Sequence, residues 1–182
     1  YLPDIASGCV ITTNFDDTVK RSFEGSQKSF GKIVFGKSTS YFHRALANGE
    51  RELLMIHGQI KDPDSRIFAH SEYDVAYGKD KFDYEKPLPD LLARIFRNQC
   101  ILFLGCSLGN DRTMALFREI AQKDTDKRLP RHYAILEAVE KLDFAAADTH
   151  FSQHQIYPIW FANQPYNRVE ELMKIMSDEF YQ

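Results

Sequence analysis

No apolar stretch in this 182-residue sequence approaches the roughly 18 residues that a membrane-spanning helix needs. Nor does a basic start, an apolar middle and a small-residue cleavage site mark a signal peptide. The expected location is the cytoplasm, with no membrane partner. Cysteine is scarce: Cys9, Cys100 and Cys106 are odd in number and never spaced C-x-x-C, and two of them precede apolar runs, the pattern of reduced core thiols. With 9 Gly, 7 Pro and no internal repeat, collagen-like, low-complexity and solenoid architectures are excluded. A dominant charge is also missing. The formal net charge is -3, so no nucleic-acid surface is expected, and Lys127, Arg128 and Arg131 read as a solvated face.

What is present is a globular composition, 43% hydrophobic and 27% charged. A chain of this length buries roughly 70% of its unfolded surface, enough for one core, so a single domain over 1–182 is expected. Cys9 to Thr13 reads as a buried strand, followed by a polar helix from Asp16 to Glu24 and a small strand at Ile33 to Phe35. Tyr41 to Ala47 is helical and stops at Asn48-Gly49, and Leu53 to Ile56 is a second strand that runs into His57-Gly58. Asp62-Pro63-Asp64 makes a turn, and Arg66 to Ala69 is short and strand-like. Ser71 and Asp74 have the spacing of a helix-capping pair. Lys79 to Pro89 is a charged surface excursion.

From Pro89, Leu91, Leu92, Ile95 and Phe96 recur at helical spacing, ahead of the strongest strand signal, Cys100 to Leu104. Helix 111–122 places Met114, Phe117, Ile120 and Ala121 on one stripe. Tyr133 to Leu136 and Ile156 to Phe161 are further strands, with an alanine-rich helix near 138–149 between them. A last helix carries Val169, Leu172, Met173, Met176 and Phe180. Strands that are apolar throughout, with helices between them, indicate an α/β fold with a doubly wound, mostly parallel, Rossmann-like sheet.

Ligands of such sheets bind beyond the carboxyl ends of the strands, where loops diverge and helix N-termini present free amides. Three strand ends qualify. Thr13, Asn14 and Asp16 follow the first, and the amide and carboxylate can point into a crevice while Phe15 points elsewhere, although both residue types also favour turns and caps. His57 follows the second, as a base neutral at cellular pH or as a hydrogen-bonded structural residue. The third, Gly105 to Asp111, offers glycines for close backbone approach, the Ser107 hydroxyl and Asp111 as a helix cap. It reads either as a phosphate or ribose loop or as an ordinary strand-to-helix turn.

The order T-T-N-F-D-D, I-H-G, a D-P turn, E-Y-D and F-L-G-C-S-L resembles the sirtuin-like domains of bacterial NAD hydrolases, including those used in antiphage defence, over roughly residues 9 to 160. The resemblance implies that Asn14 and His57 carry the reaction at strand ends outside the core. It places Asp16 near the nicotinamide amide, Gly105 and Ser107 along the diphosphate or adenosine side, and Thr13 among the NAD-binding residues. NAD is then the substrate and no metal is required. The four-cysteine zinc ribbon of protein-deacylating sirtuins has no counterpart in three unpaired cysteines, so no zinc is expected and deacylation is disfavoured. The glycine-rich first strand, turn and helix of such domains has no place in the eight residues before Cys9. Either that unit was left out of this chain or the protein has lost it; the expectation is a fragment without it, one that alone binds NAD poorly or not at all.

The implied function is hydrolysis of NAD to nicotinamide and ADP-ribose by a regulated antiphage effector. A regulatory domain or activator protein, and a homo-oligomer, are expected partners. The alternatives are a catalytically silent module that senses NAD or ADP-ribose, a protein deacylase or ADP-ribosyltransferase, and an unrelated doubly wound protein.

Overall fold

The computed structural model describes all residues other than 38, 107, 110, 126, 127, 141, 163–166 and 181–182, and leaves out the side chains of 40, 167 and 180. Ser107 and Lys127 therefore lie outside the described residues. The chain divides into two compact units, Tyr1–Leu91 with Met173–Gln182, and Leu92–Leu172. Each holds a three-stranded sheet in which every pairing is parallel, so the architecture is α/β and Rossmann-like, as the apolar strands and intervening helices predict. No helix among the described residues is long and apolar enough to cross a membrane.

The first unit runs α1 (Leu2–Ile5), β1 (Val10–Thr12), α2 (Thr18–Glu24), β2 (Ile33–Phe35), α3 (Ser40–Asn48), β3 (Leu53–Met55), a 3-10 turn at Pro63–Ser65 and α4 (His70–Tyr77). Its sheet order is β1-β3-β2, with Thr12 and Phe35 both level with Met55. The central strand is the one buried at every position, through Leu53, Leu54 and Met55. Phe42 and Ala45 of α3 and Phe23 of α2, its ring tilted against Phe30 at 4.3 Å, complete this core. Gly49 ends α3 in the left-handed region at φ +66°, as the Asn-Gly pair predicts.

Two local expectations are overturned here. Arg66 to Ala69 is not a strand: the turn at Pro63–Ser65 folds it back over the loop after β3, where the Ile67 amide donates to the His57 carbonyl oxygen at 2.9 Å instead of joining a ladder. Ser71 and Asp74 do not cap α4. The helix starts at His70, and the Glu72 carboxylate accepts from the Phe68 and Ala69 amides at 2.8 and 2.7 Å, because Glu72 stands three residues past the first cap position.

Helix α5 (Pro87–Asn98) begins two residues before the expected start, so Leu88 and Pro89 are buried rather than part of a surface excursion. In the second unit follow β4 (Leu102–Leu104), α6 (Arg112–Lys123), β5 (His132–Ala138), α7 (Phe144–Ser152) and β6 (Ile156–Ala162). Helix α8 (Asn167–Phe180) is last in the chain, and from Met173 on it belongs to the first unit. The sheet order is β4-β5-β6. The strongest apolar run thus forms a half-buried edge strand, while the seven-residue β5 and β6 extend beyond their expected bounds. That edge position corrects the reading of the cysteines: Cys100 and Cys106, which flank β4, are exposed, and only Cys9 is half-buried. The Cys9 thiol donates to the Glu50 carbonyl oxygen at 3.2 Å, and burial pushes it up to about 11.

Helix α6 behaves as its pattern predicts. Asp111 accepts from the Thr113 and Met114 amides at 2.9 and 3.0 Å, and Met114, Phe117, Ile120 and Ala121 are buried. Phe117 stacks on Phe96 at 4.8 Å, and Phe96 in turn lies 4.1 Å from the ring of His132, which is 0% exposed. The His132 Nδ1 accepts from the Ile101 amide at 3.3 Å and Nε2 has no partner among the described residues. Burial lowers this histidine from about 6.5 to about 4.

An acid-linked loss of stability follows. Between those two values the unfolded chain binds the proton that the folded one refuses, so the contribution of His132 is full above pH 6.5 and falls as pH drops towards 4. The loss should reach about 3 kcal/mol. Urea midpoints at pH 7 and 4.5 check it: the drop in the natural chain should exceed that in His132→Phe, and equal drops would refute the assignment.

Candidate functional site

The site begins from sheet register. Because β1 and β3 are adjacent, parallel and level at Thr12 and Met55, their carboxyl ends leave the sheet side by side. Pairing continues one residue further, where the Ile56 amide donates to the Thr12 carbonyl oxygen at 3.1 Å. Thr13-Asn14 and His57 therefore emerge from neighbouring strand ends. The Asn14 amide turns back to donate to the Thr12 hydroxyl at 3.1 Å, bending the chain out of the strand. Thr13 and Asn14 are exposed, and the Asn14 carboxamide makes no hydrogen bond among the described residues.

The two loops are stitched together beyond this point. The Ile60 amide donates to the Phe15 carbonyl oxygen at 3.0 Å. Asp17 accepts from the Gln59 carboxamide at 2.5 Å and from the Lys61 ammonium at 3.2 Å, which together hold its carboxyl below the usual range. Asp16 is exposed and its carboxylate accepts from the Thr18 amide at 2.8 Å. That bond, with one from the Thr18 hydroxyl, holds the Asp16 carboxyl low. The helix-start role open to Asp16 in the sequence is thus filled by its contact with the Thr18 amide.

His57 departs from expectation in its surroundings. It is only 6% exposed, so it sits in the core at the end of β3 rather than outside it. The apolar neighbour Ile56, the returning segment at Ile67 and helix α4 close over it. Phe15, expected to point elsewhere, has its ring 6.2 Å from the imidazole and 6.0 Å from Phe68. Two tyrosines of α4 flank the ring: the Tyr73 hydroxyl lies 3.5 Å from Nδ1 and the Tyr77 hydroxyl 3.5 Å from Nε2. Sequence reasoning did not single out these two, although their spacing of four residues puts both on one helix face. Gly58 is required by close approach: at φ +81° a Cβ would stand 2.3 Å from the Ser65 carbonyl oxygen.

A cavity of about 360 Å³ opens beyond β2 in the same unit, lined among others by Gly36, Lys37, Ser71, Glu72, Lys86 and Leu88. The Lys37 ammonium lies 2.5 Å from the Asp64 carbonyl oxygen.

In the second unit a cavity of about 780 Å³ lies at the carboxyl ends of its strands, with Gly105, Cys106, Glu137, His150, Trp160 and Phe161 in its wall. Gly105 takes φ +67°, and a Cβ there would meet no atom within 4 Å, so this glycine serves the turn and leaves its surface open. Leu108 also lies in the left-handed region at φ +51°, held by Arg118, which donates to the Leu108 and Gly109 carbonyl oxygens at 2.6 and 2.9 Å. Thr13, Asn14, Asp16 and His57 belong to the first unit and Gly105 to the second. Among the described residues no group of three or more His, Cys, Asp or Glu side chains could hold a metal ion.

No curated protein matches the chain. The family model described as the SIR2-like domain, a family of NAD-related function, matches residues 8–159 and so takes in both units and all three strand ends. Over most of its length, then, this chain belongs to the SIR2-like domain family.

Proposed function

We propose that this domain hydrolyses NAD to nicotinamide and ADP-ribose, with Asn14 and His57 as the residues that carry the reaction. The observation that supports this most is the register of β1 and β3, which makes a carboxamide with no hydrogen-bond partner among the described residues and an imidazole leave the sheet at adjacent, level strand ends. The reaction suits such a site. The bond from the ribose C1′ to the pyridinium nitrogen breaks with both electrons passing to nitrogen, so nicotinamide departs neutral and needs no protonation. In this it differs from ordinary glycoside cleavage, where one carboxylic acid protonates the leaving oxygen. Water adds to C1′ and its proton must be removed. The Asn14 carboxamide orients the water or a ribose hydroxyl, and the neutral imidazole of His57 takes up the proton. By the same likeness Asp16 serves the nicotinamide amide, Thr13 is a further NAD-binding residue, and Gly105 with Ser107 serves the diphosphate or adenosine side.

A cell does not survive unrestrained loss of NAD, so the activity is that of an effector held in check by a further domain, an activator or assembly, in keeping with antiphage defence. The test is to incubate the full-length natural polypeptide with NAD and separate the products. Nicotinamide and ADP-ribose should appear in equal amounts. NAD bound tightly and recovered intact would overturn the hydrolase in favour of a sensor, and transfer of ADP-ribose or an acyl group to or from a protein would favour the transferase or deacylase.

A further inference from the structure

The cavity of about 360 Å³ beyond β2 is built from residues that the reaction proposed above does not use, and its volume is that of a pocket for a small metabolite. Helix α4 has two faces: Tyr73 and Tyr77 turn to His57, while Ser71, Val75 and Ala76 line the cavity on the opposite side. The rest of the wall combines the apolar surface of Leu88 with the ammonium groups of Lys37 and Lys86. Against these cations stands the Glu72 carboxylate, which already accepts from the Phe68 and Ala69 amides at the start of α4. Lys86 is half-buried and has no hydrogen bond or ion pair among the described residues. Val75 is 73% exposed, so apolar surface lies open beside positive charge.

Lys37 serves the cavity and the cover of His57 together. Gly36 brings it there: its amide donates to the Met55 carbonyl oxygen at 3.1 Å, and a Cβ on it would stand 2.0 Å from the Ile56 carbonyl oxygen, so β2 leaves the sheet against the residue before His57. The Lys37 ammonium then donates to the Asp64 carbonyl oxygen in the turn Pro63–Ser65. That turn anchors the segment folded over His57, since the Ser65 hydroxyl accepts from the Gln59 amide at 3.1 Å and the Ile67 amide donates to the His57 carbonyl oxygen. An ammonium bonds a phosphate oxygen more strongly than a carbonyl oxygen, because both partners are charged. Two ammonium groups and the exposed Ser71 hydroxyl match the double charge and three free oxygens of a phosphate monoester. We infer that this cavity binds a small organic phosphate, the phosphate held by Lys37 and Lys86 and the apolar part by Val75 and Leu88, and that binding draws Lys37 from the Asp64 carbonyl and loosens the turn over His57. On the hydrolase reading such a ligand is an activator, and only that consequence rests on that reading.

Phenyl phosphate is the probe, added without NAD to the full-length natural polypeptide, with calorimetry to read binding and amide hydrogen exchange to read the turn. It should bind with a Kd of about 1 mM or tighter, and about 10-fold more tightly than inorganic phosphate because its ring covers apolar surface. Lys86→Ala should weaken binding by about 10-fold, the loss of one charged hydrogen-bond donor. Val75→Glu sets a like charge against the phosphate at an exposed position, should weaken binding as well, and decides the matter if Lys86→Ala does not fold. In the bound protein the Ile67 amide should exchange about 5-fold faster. Absence of binding at about 10 mM, or an affinity that both variants leave unchanged, would overturn the site. Equal affinity for inorganic phosphate would reduce it to an adventitious ion only, equal affinity for benzoate would overturn the choice of phosphate, and unchanged exchange at Ile67 would overturn the link to the turn. Neither readout uses NAD, so failure of this site and failure of the hydrolase reading are told apart.

Discussion

Asn14→Ala is expected to lower NAD turnover by about 100-fold or more while leaving the urea midpoint where it was. The first half comes from chemistry: an asparagine that orients a water or a ribose hydroxyl contributes through geometry, and loss of such positioning costs on the order of 100-fold. The second half comes from structure. Asn14 is exposed, its carboxamide touches nothing polar among the described residues, and the bond that shapes the turn runs from its backbone amide to the Thr12 hydroxyl. Alanine keeps that amide. Turnover in Asn14→Ala equal to that of the natural chain would remove Asn14 from the reaction. The same experiment on His57 is less clean, because a 6% exposed side chain between two tyrosine hydroxyls contributes to stability as well. His57→Ala should lose both activity and stability, and this is why Asn14 is the better probe.

Phe96→Ala is expected to destabilise the second unit by about 3–5 kcal/mol, the usual cost of emptying a large aromatic site in a packed core. Phe96 is fully buried and its ring faces both Phe117 at 4.8 Å and His132 at 4.1 Å. Truncation would leave a void beside an imidazole whose Nε2 has no partner among the described residues. A water drawn into that void would satisfy Nε2 and bring the cost towards the lower end. Urea unfolding monitored by amide exchange in β5 reads the result, and a loss below about 1 kcal/mol would show that the stack is not the keystone of that core.

The elements themselves were legible wherever the local code was strong. The apolar run Leu53 to Ile56, the Asn-Gly stop after α3 and the Asp111 cap with its stripe of Met114, Phe117, Ile120 and Ala121 all stand where the sequence puts them. These features depend on nearest neighbours along the chain: a propensity, a φ above zero or an acceptor two or three residues from an open amide. Failures occurred where a partner distant in sequence decided. Arg66 to Ala69 has the composition of a strand but meets only the His57 carbonyl, and Glu72 displaced Ser71 and Asp74 as the cap by reaching the Phe68 and Ala69 amides.

By itself the sequence determined an α/β chain of parallel strands, three strand ends rich in polar and small residues, and through the order of those ends a likeness that the family match bears out. Only the tertiary structure decided that β3 stands between β1 and β2, that the chain forms two compact units, that two cysteines are exposed and that His57 is enclosed by Phe15, Tyr73 and Tyr77. The reason is physical. Hydrophobic periodicity reports whether a residue is buried, an area effect that carries no direction. Which strand lies beside which, and which hydroxyl faces which nitrogen, depends on contacts between residues dozens apart, whose energies no local pattern records.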